Sequence, residues 1–187
     1  RHTRYIGDWS SRRVLFRSKY MATVTLKGNT VNLAGTEINV GDMAPEVTLP
    51  NKGLENKTVG GSKKQVIVVV PSLDTPVCAT ETRMFNQQAA SIDGLEVNVV
   101  SMDLPFAAGR FCSTEGIENL DVLSDFRTKE FSNAYGVLIA DGALAGVTAR
   151  AIFVTDSAGK VVYKELVPEI TAEPAYDAAI EAAKAAN

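Results

Sequence analysis

The sequence predicts an α/β domain with a mixed parallel and antiparallel central sheet, flanking helices and an N-terminal β-hairpin. Three observations carry this. Apolar and polar residues alternate on either side of Gly28-Asn29; strand-like and helix-like stretches then take turns as β-α-β-α-β-α; and a second hairpin pattern precedes a last alanine-rich helix. The 187 residues, 45% hydrophobic and 22% charged, fit one globular domain with a sizeable core.

Each element has a local reason. "TVTLKGNTVNL" reads as the leading hairpin, and "GDMAPEVTLPNKG" as a punctuated connection with one short strand at 46–49. "KKQVIVVV" is too uniformly apolar for a half-exposed strand and marks a central strand covered on both faces. Thr75 suits an N-cap and Pro76 the first helical position, so a helix is predicted over 76–91, stopped by Gly94. "LEVNVVSMD" is the next strand, and "PFAAGRFCSTEG" a short helix opened by Pro105 and ended near Gly116. "DVLSD" is a short strand, and "TKEFSNAYG" a helix stopped by Gly136. "RAIFVTD" and "KVVYKELV" form a hairpin around Ser157-Ala158-Gly159. The last helix, in "AEPAYDAAIEAAKAAN", puts Tyr176, Ala179, Ile180 and Ala183 on one face.

Charge is distributed unevenly. Residues 1–20 hold six of the nineteen Lys/Arg and one of the 22 acids, a net of +5, which leaves 13 bases and 21 acids, a net of −8, for the rest. "SRRVLF" resembles a twin-arginine signal, but no apolar h-region follows it. Residues 1–20 are therefore expected to be a non-native or unstructured leader ahead of Met21, with the domain over 21–187. No apolar run is long enough to span a bilayer, and the formal charge of −3 gives no reason to expect nucleic acid.

His2 and Trp9 are the only residues of their types, and both lie in that leader. The body thus lacks the imidazole that a Cys–His hydrolase needs as base. Two cysteines alone cannot supply a tetrahedral zinc set either. No metal or organic cofactor is expected. Chemistry at Cys78 has to proceed without histidine.

Cys78 falls in the first turn of the predicted helix, where backbone N–H groups lack partners and the macrodipole is positive. Both effects favour a thiolate, the nucleophilic form. On position alone a buried, inert cysteine is an equal reading. Pro71, Thr75 and Cys78, however, spell P-x-x-x-T-x-x-C across a strand-to-helix junction, and that string resembles the active-site motif of the peroxiredoxins. Cys112, 34 residues further on in "DLPFAAGRFCSTEG", narrows the match. With "EFSNAYGVLIADGALAGVTARAIFVTD" and "ELVPEITAEPAYDAA", the chain from Met21 onward is similar to the bacterial thiol peroxidases, a group of atypical two-cysteine peroxiredoxins.

The resemblance implies a thioredoxin fold, a homodimer and a Cys78–Cys112 disulfide formed during turnover. In that family the proline shields the thiolate, the threonine hydroxyl orients the peroxide and the cysteine attacks it. Cys112 on its own reads equally as a core residue on an apolar helix face beside Phe106 and Phe111. Arg150 on its own reads as a solvated strand-end charge; the resemblance makes it the arginine that pairs with the thiolate. With no histidine available, a permanent guanidinium is also the remaining way to stabilise the charges involved. Arg83 is a weaker candidate for that network, and Arg110 is expected to be solvated.

The expected activity is reduction of hydrogen peroxide and organic hydroperoxides through a sulfenic acid and an intramolecular disulfide. By resemblance, thioredoxin recycles it. A redox sensor or binding module on the same fold is the alternative, and a structural disulfide in an exported protein is a third reading. Neither rival accounts for Pro71, Thr75 and Arg150 beside the cysteines. The cytoplasm is the expected compartment, with the periplasm second, because a cytoplasmic cysteine pair is normally transient and catalytic. Pro105 and the interior Gly109 further predict a helix that unwinds to bring Cys112 to Cys78.

Overall fold

The computed structural model describes residues 22–187, so the expected leader over 1–20 lies outside the described residues. β1 (Ala22–Leu26) and β2 (Asn29–Ala34) pair antiparallel with Leu26 opposite Asn29. The turn is therefore Lys27-Gly28, one residue earlier than the sequence suggests, with both at positive φ (49° and 80°). Such a two-residue turn matches the twist of its strands. β3 (Val47–Pro50) follows, and it pairs with β4 (Asn56–Val59), a strand the sequence reading lacks. "NKTV" is short and mostly polar and gives no periodic signal.

β5 (Gln65–Val69) leads to α1 (Pro76–Ser91), then β6 (Val97–Ser101), α2 (Pro105–Glu115) and β7 (Asp121–Ser124). α3 (Glu130–Ala134) and the two-residue β8 (Leu138–Ile139) precede the hairpin of β9 (Ala151–Thr155) and β10 (Val161–Leu166), and α4 (Tyr176–Ala185) closes the chain. The main sheet runs β10-β9-β5-β6-β7: β6 is parallel to β5 and β7, and β9 is antiparallel to β5 and β10. β8 extends the leading hairpin into a three-stranded sheet and was not expected, since two residues carry no pattern.

Every residue of β5 is buried, as its composition requires for a strand covered on both faces. Side chains alternate across it. Val66 and Val68 pack with Phe85 of α1, Phe111 of α2 and Ile180 of α4. Ile67 and Val69 pack with Val31 and Leu33 of the leading hairpin, Phe131, Tyr135 and Phe153. Burying each such side chain contributes about 1.5–3 kcal/mol, so this strand anchors both layers. Ala179, Ile180 and Ala183 of α4 are buried as its periodicity requires.

Gly136 ends α3 at φ 67°, where an added Cβ would lie 2.7 Å from the Thr36 carbonyl oxygen. Only glycine fits that crossing.

The sheet register sets up the site. Val69 at the end of β5 lies opposite Ala151 at the start of β9, so the loop entering α1 and the residue before β9 meet at one end of these interior strands. The Thr148 hydroxyl ties the two by donating to the Val70 carbonyl at 2.7 Å. Among the described residues no helix is long and apolar enough to cross a membrane.

Candidate active site

α1 starts where Pro76 pre-sets its first residue, with Thr75 in extended backbone geometry (φ −101°, ψ 146°) at the N-cap. The Thr75 side chain does not cap the helix, contrary to expectation. Its hydroxyl donates to the Ser72 carbonyl at 3.1 Å, inside the loop. No acidic residue lies in the first turn, so nothing there neutralises the helix's positive end, and Cys78 sits in that turn wholly buried.

Arg150 is 2% exposed and faces Cys78 from the position just before β9. Its Nη1 donates to Cys78 Sγ at 3.3 Å and to Glu81 Oε2 at 2.6 Å. Its Nε and Nη2 both donate to the Ile170 carbonyl, at 3.0 and 2.9 Å. The solvated strand-end reading of Arg150 is thereby excluded. A guanidinium N–H against the sulfur is a charge-assisted contact that a thiolate accepts better than a thiol.

Glu81 belongs to this cluster and was missed by sequence reasoning. It lies three residues after Cys78 on the same helix face and is wholly buried. The available signal was an acid on a face otherwise made of Cys78, Thr82, Phe85 and Ala89. Burial pushes its carboxyl up to about 7, against the opposing pull of Arg150. Its Oε1 has no hydrogen-bond partner among the described residues. Burial works against the charge on Arg150 as well, but the neighbouring Cys78 and Glu81 outweigh it and hold Arg150 above its ordinary value.

Pro71, Thr75 and Arg150 line one cavity of about 220 Å³ whose other walls include Leu26, Leu144 and Val147. Cys78 itself is not on the wall. The other predicted residues lie elsewhere. Arg83 does not join the cluster; it is exposed and bonds Glu115 at 2.9 Å, tying α1 to the end of α2. Arg110 is exposed, as expected, 3.4 Å from Asp74.

Cys112 is buried in α2 and shares an apolar cluster with Cys78, yet both thiols are free. Burial pushes the Cys112 thiol up, with Lys52 opposing. Phe111 is buried beside it, but Phe106 is 70% exposed and does not belong to the same face. Leu104 gives α2 no side-chain cap and neither end turn carries a dipole-matching charge, but Gly116 closes its C-terminus in left-handed geometry (φ 66°), donating its amide to the Cys112 carbonyl.

Comparison with known proteins decides the family. The Redoxin family model matches residues 39–180. The chain belongs to the Redoxin family. This redoxin is 56% identical to a thiol peroxidase of Aquifex aeolicus over 164 residues, covering 87% of this chain and 96% of that protein. It is 61% identical to a thiol peroxidase of Campylobacter jejuni over 155 residues, 82% of this chain and 88% of that one. Among solved structures, a peroxiredoxin-like protein from Aquifex aeolicus superposes with TM-score 0.84 at 54% identity, covering 88% of this chain and 97% of that one. A thiol peroxidase from Chromobacterium violaceum superposes with TM-score 0.76 at 25% identity, covering 83% and 91%. The redoxin's mixed sheet with flanking helices is the thioredoxin fold, as expected from the sequence.

The Glu81 carboxyl gives a pH test. The folded redoxin binds this proton more tightly than the unfolded chain, whose carboxyl titrates near 4.5. The stabilisation is therefore complete below about pH 4.5 and is lost as pH rises through about 7. Glu81→Gln should flatten the fall in unfolding free energy across that window, measured by urea titration at several pH values. An equal fall in variant and wild type would remove Glu81 as its source.

Proposed function

We propose that this thiol-dependent peroxidase reduces hydroperoxides at Cys78 and resolves the product with Cys112. The observation that carries the proposal is the Arg150 Nη1–H donated to Cys78 Sγ at 3.3 Å. The Cys78 thiolate attacks the terminal oxygen of the hydroperoxide. The O–O bond breaks, the leaving oxygen takes a proton to become water or an alcohol, and Cys78 becomes a sulfenic acid. The Cys112 sulfur then attacks that sulfenic sulfur, water leaves, and a disulfide forms. A dithiol reductant restores both thiols by exchange.

Arg150 serves the first step twice. Four of its five N–H donors are occupied by Cys78, Glu81 and the Ile170 carbonyl. The fifth, on Nη2, has no partner among the described residues and serves the peroxide oxygen as negative charge builds on it. Thr75 lines the same cavity, and its hydroxyl oxygen keeps lone pairs for the peroxide hydrogen. Pro71, also on the wall, keeps water from the sulfur. The mostly apolar lining supports organic hydroperoxides as substrates alongside hydrogen peroxide.

Thioredoxin as the reductant, a homodimeric state, a cytoplasmic site of action and a domain spanning 21–187 complete the proposal. These rest on resemblance and on the transient use of cysteine pairs in reducing compartments. Turnover also requires motion, because Cys78 and Cys112 are both buried and unbonded. α2, which carries Cys112 and the interior Gly109, is the segment proposed to open.

NADPH consumption coupled to thioredoxin, its reductase and a hydroperoxide tests the assignment. Cys78→Ser should leave less than about a hundredth of wild-type turnover. Cys112→Ser should reduce one equivalent of peroxide and then stall. Steady turnover by Cys78→Ser would reassign the nucleophile.

Gly109→Ala separates the two steps. A Cβ there would meet Lys52 Cβ at 3.7 Å, ordinary contact, so alanine fits and should stabilise the helix by about 1 kcal/mol. Disulfide formation should slow about fivefold in rapid-mixing experiments while the first oxidation keeps its rate. Equal slowing of both steps would count against opening of α2.

A further inference from the structure

We propose that Glu169 is a positioning residue for peroxide selectivity: its carboxylate pins the Lys27-Gly28 turn so that Leu26 forms a fixed apolar wall for the organic part of a hydroperoxide. This rests on the reading of the cavity as the peroxide site.

The contacts are unusually concentrated for a half-exposed side chain. Glu169 Oε2 accepts from the Thr25 hydroxyl at 2.6 Å and the Gly28 amide at 3.1 Å. Oε1 accepts from the Lys27 amide at 2.8 Å and from the Thr171 hydroxyl at 2.8 Å and amide at 3.3 Å. Lys27 and Gly28 are the two turn residues, and their amides point away from the hairpin ladder into this one carboxylate. These donors, led by the Thr25 hydroxyl, hold the Glu169 carboxyl down at about 2, so it is ionised wherever the enzyme works.

Leu26 lies between two of the clamped residues and lines the cavity with Ile170 and Thr171, which flank the clamp on the other side. The base of the strand has its own ties. The Thr25 amide donates to the Pro168 carbonyl at 2.7 Å, and the Ile170 amide to the Thr25 carbonyl at 2.9 Å. These backbone bonds keep the Ile170 carbonyl, the acceptor for Arg150, in place without Glu169. Loss of the carboxylate therefore frees the turn and the Leu26 wall more than it disturbs Arg150. Hydrogen peroxide has no organic part and does not reach that wall. A bulky hydroperoxide does.

Glu169→Gln tests this, because an amide nitrogen replaces one accepting oxygen and, whichever oxygen is replaced, one of the two turn amides loses its acceptor, Gly28 at Oε2 or Lys27 at Oε1. The second-order rate constants for oxidation by cumene hydroperoxide and by hydrogen peroxide are compared by rapid mixing. Their ratio should fall about tenfold, the scale of one lost apolar contact, with the larger loss for cumene hydroperoxide appearing in KM rather than kcat. Leu26→Ala should give a similar fall, and the double variant little more. Binding of 2-phenylpropan-2-ol, the alcohol that cumene hydroperoxide leaves, gives a readout free of redox chemistry; its Kd should rise about tenfold in either variant. Equal slowing with both peroxides, or an unchanged ratio, would overturn the role of Glu169. If wild-type enzyme oxidises with neither peroxide, the peroxidase reading fails, and the alcohol titration still decides the clamp: weaker binding in the variants supports it, and equal or no binding overturns it.

Discussion

The site depends on one buried cation. Placing Arg150 out of water costs several kcal/mol, and the structure offsets this only by giving the guanidinium four well-formed acceptor contacts. Those acceptors come from separate parts of the chain. α1 supplies Cys78 and Glu81 one helical turn apart, and the segment after β10 supplies the Ile170 carbonyl. The backbone closes the arrangement, since the Val167 amide donates to the Arg150 carbonyl at 3.0 Å. Removing any one of the acceptors leaves an Arg150 N–H buried without that partner, and removing Arg150 deprives all of them at once. The cluster therefore constrains how α1, β9 and the 167–170 segment pack, besides serving the reaction.

On the proposed mechanism, chemistry at the sulfur and motion of the second cysteine make opposing demands. The cluster around Cys78 is rigid because its charges must be paired where water is absent. Cys112 lies in the same apolar layer but on a separate, shorter helix with an interior glycine. The two demands are met by separate helices. α1 is sixteen residues long and fixed by Arg150, whereas α2 is eleven residues long and bound at its rim by exposed ion pairs of little energetic weight. On that proposal, local opening falls to α2.

Most of the sheet and helix order was legible in the sequence, because those segments carry strong periodicity or clear stops. "VIVVV" could only be a doubly covered strand, and Pro76 and Pro105 mark where α1 and α2 begin. β4 and β8 were not legible, being four and two residues whose pairing is set by tertiary contact rather than by pattern. At the site, Pro71, Thr75, Cys78 and Arg150 follow from motif and context, but Glu81 does not follow from the motif. A lone acid on a helix reads as solvated until the arginine that buries it is in view. Likewise the Thr75 hydroxyl turns to Ser72 because the loop bends tightly there, a preference that sequence spacing does not reveal.

The central claim is that the Arg150 contact, and not burial or helix position alone, makes Cys78 reactive. Arg150→Met measured in a Glu81→Gln background tests it without leaving an unpaired carboxylate behind. The measurement is the second-order rate constant for oxidation by hydrogen peroxide at pH 7, from rapid mixing. The account predicts a rate at least about a hundredfold below that of Glu81→Gln alone, the scale of losing a charge-stabilising donor. A rate within about threefold of that reference, in a folded variant, would contradict it.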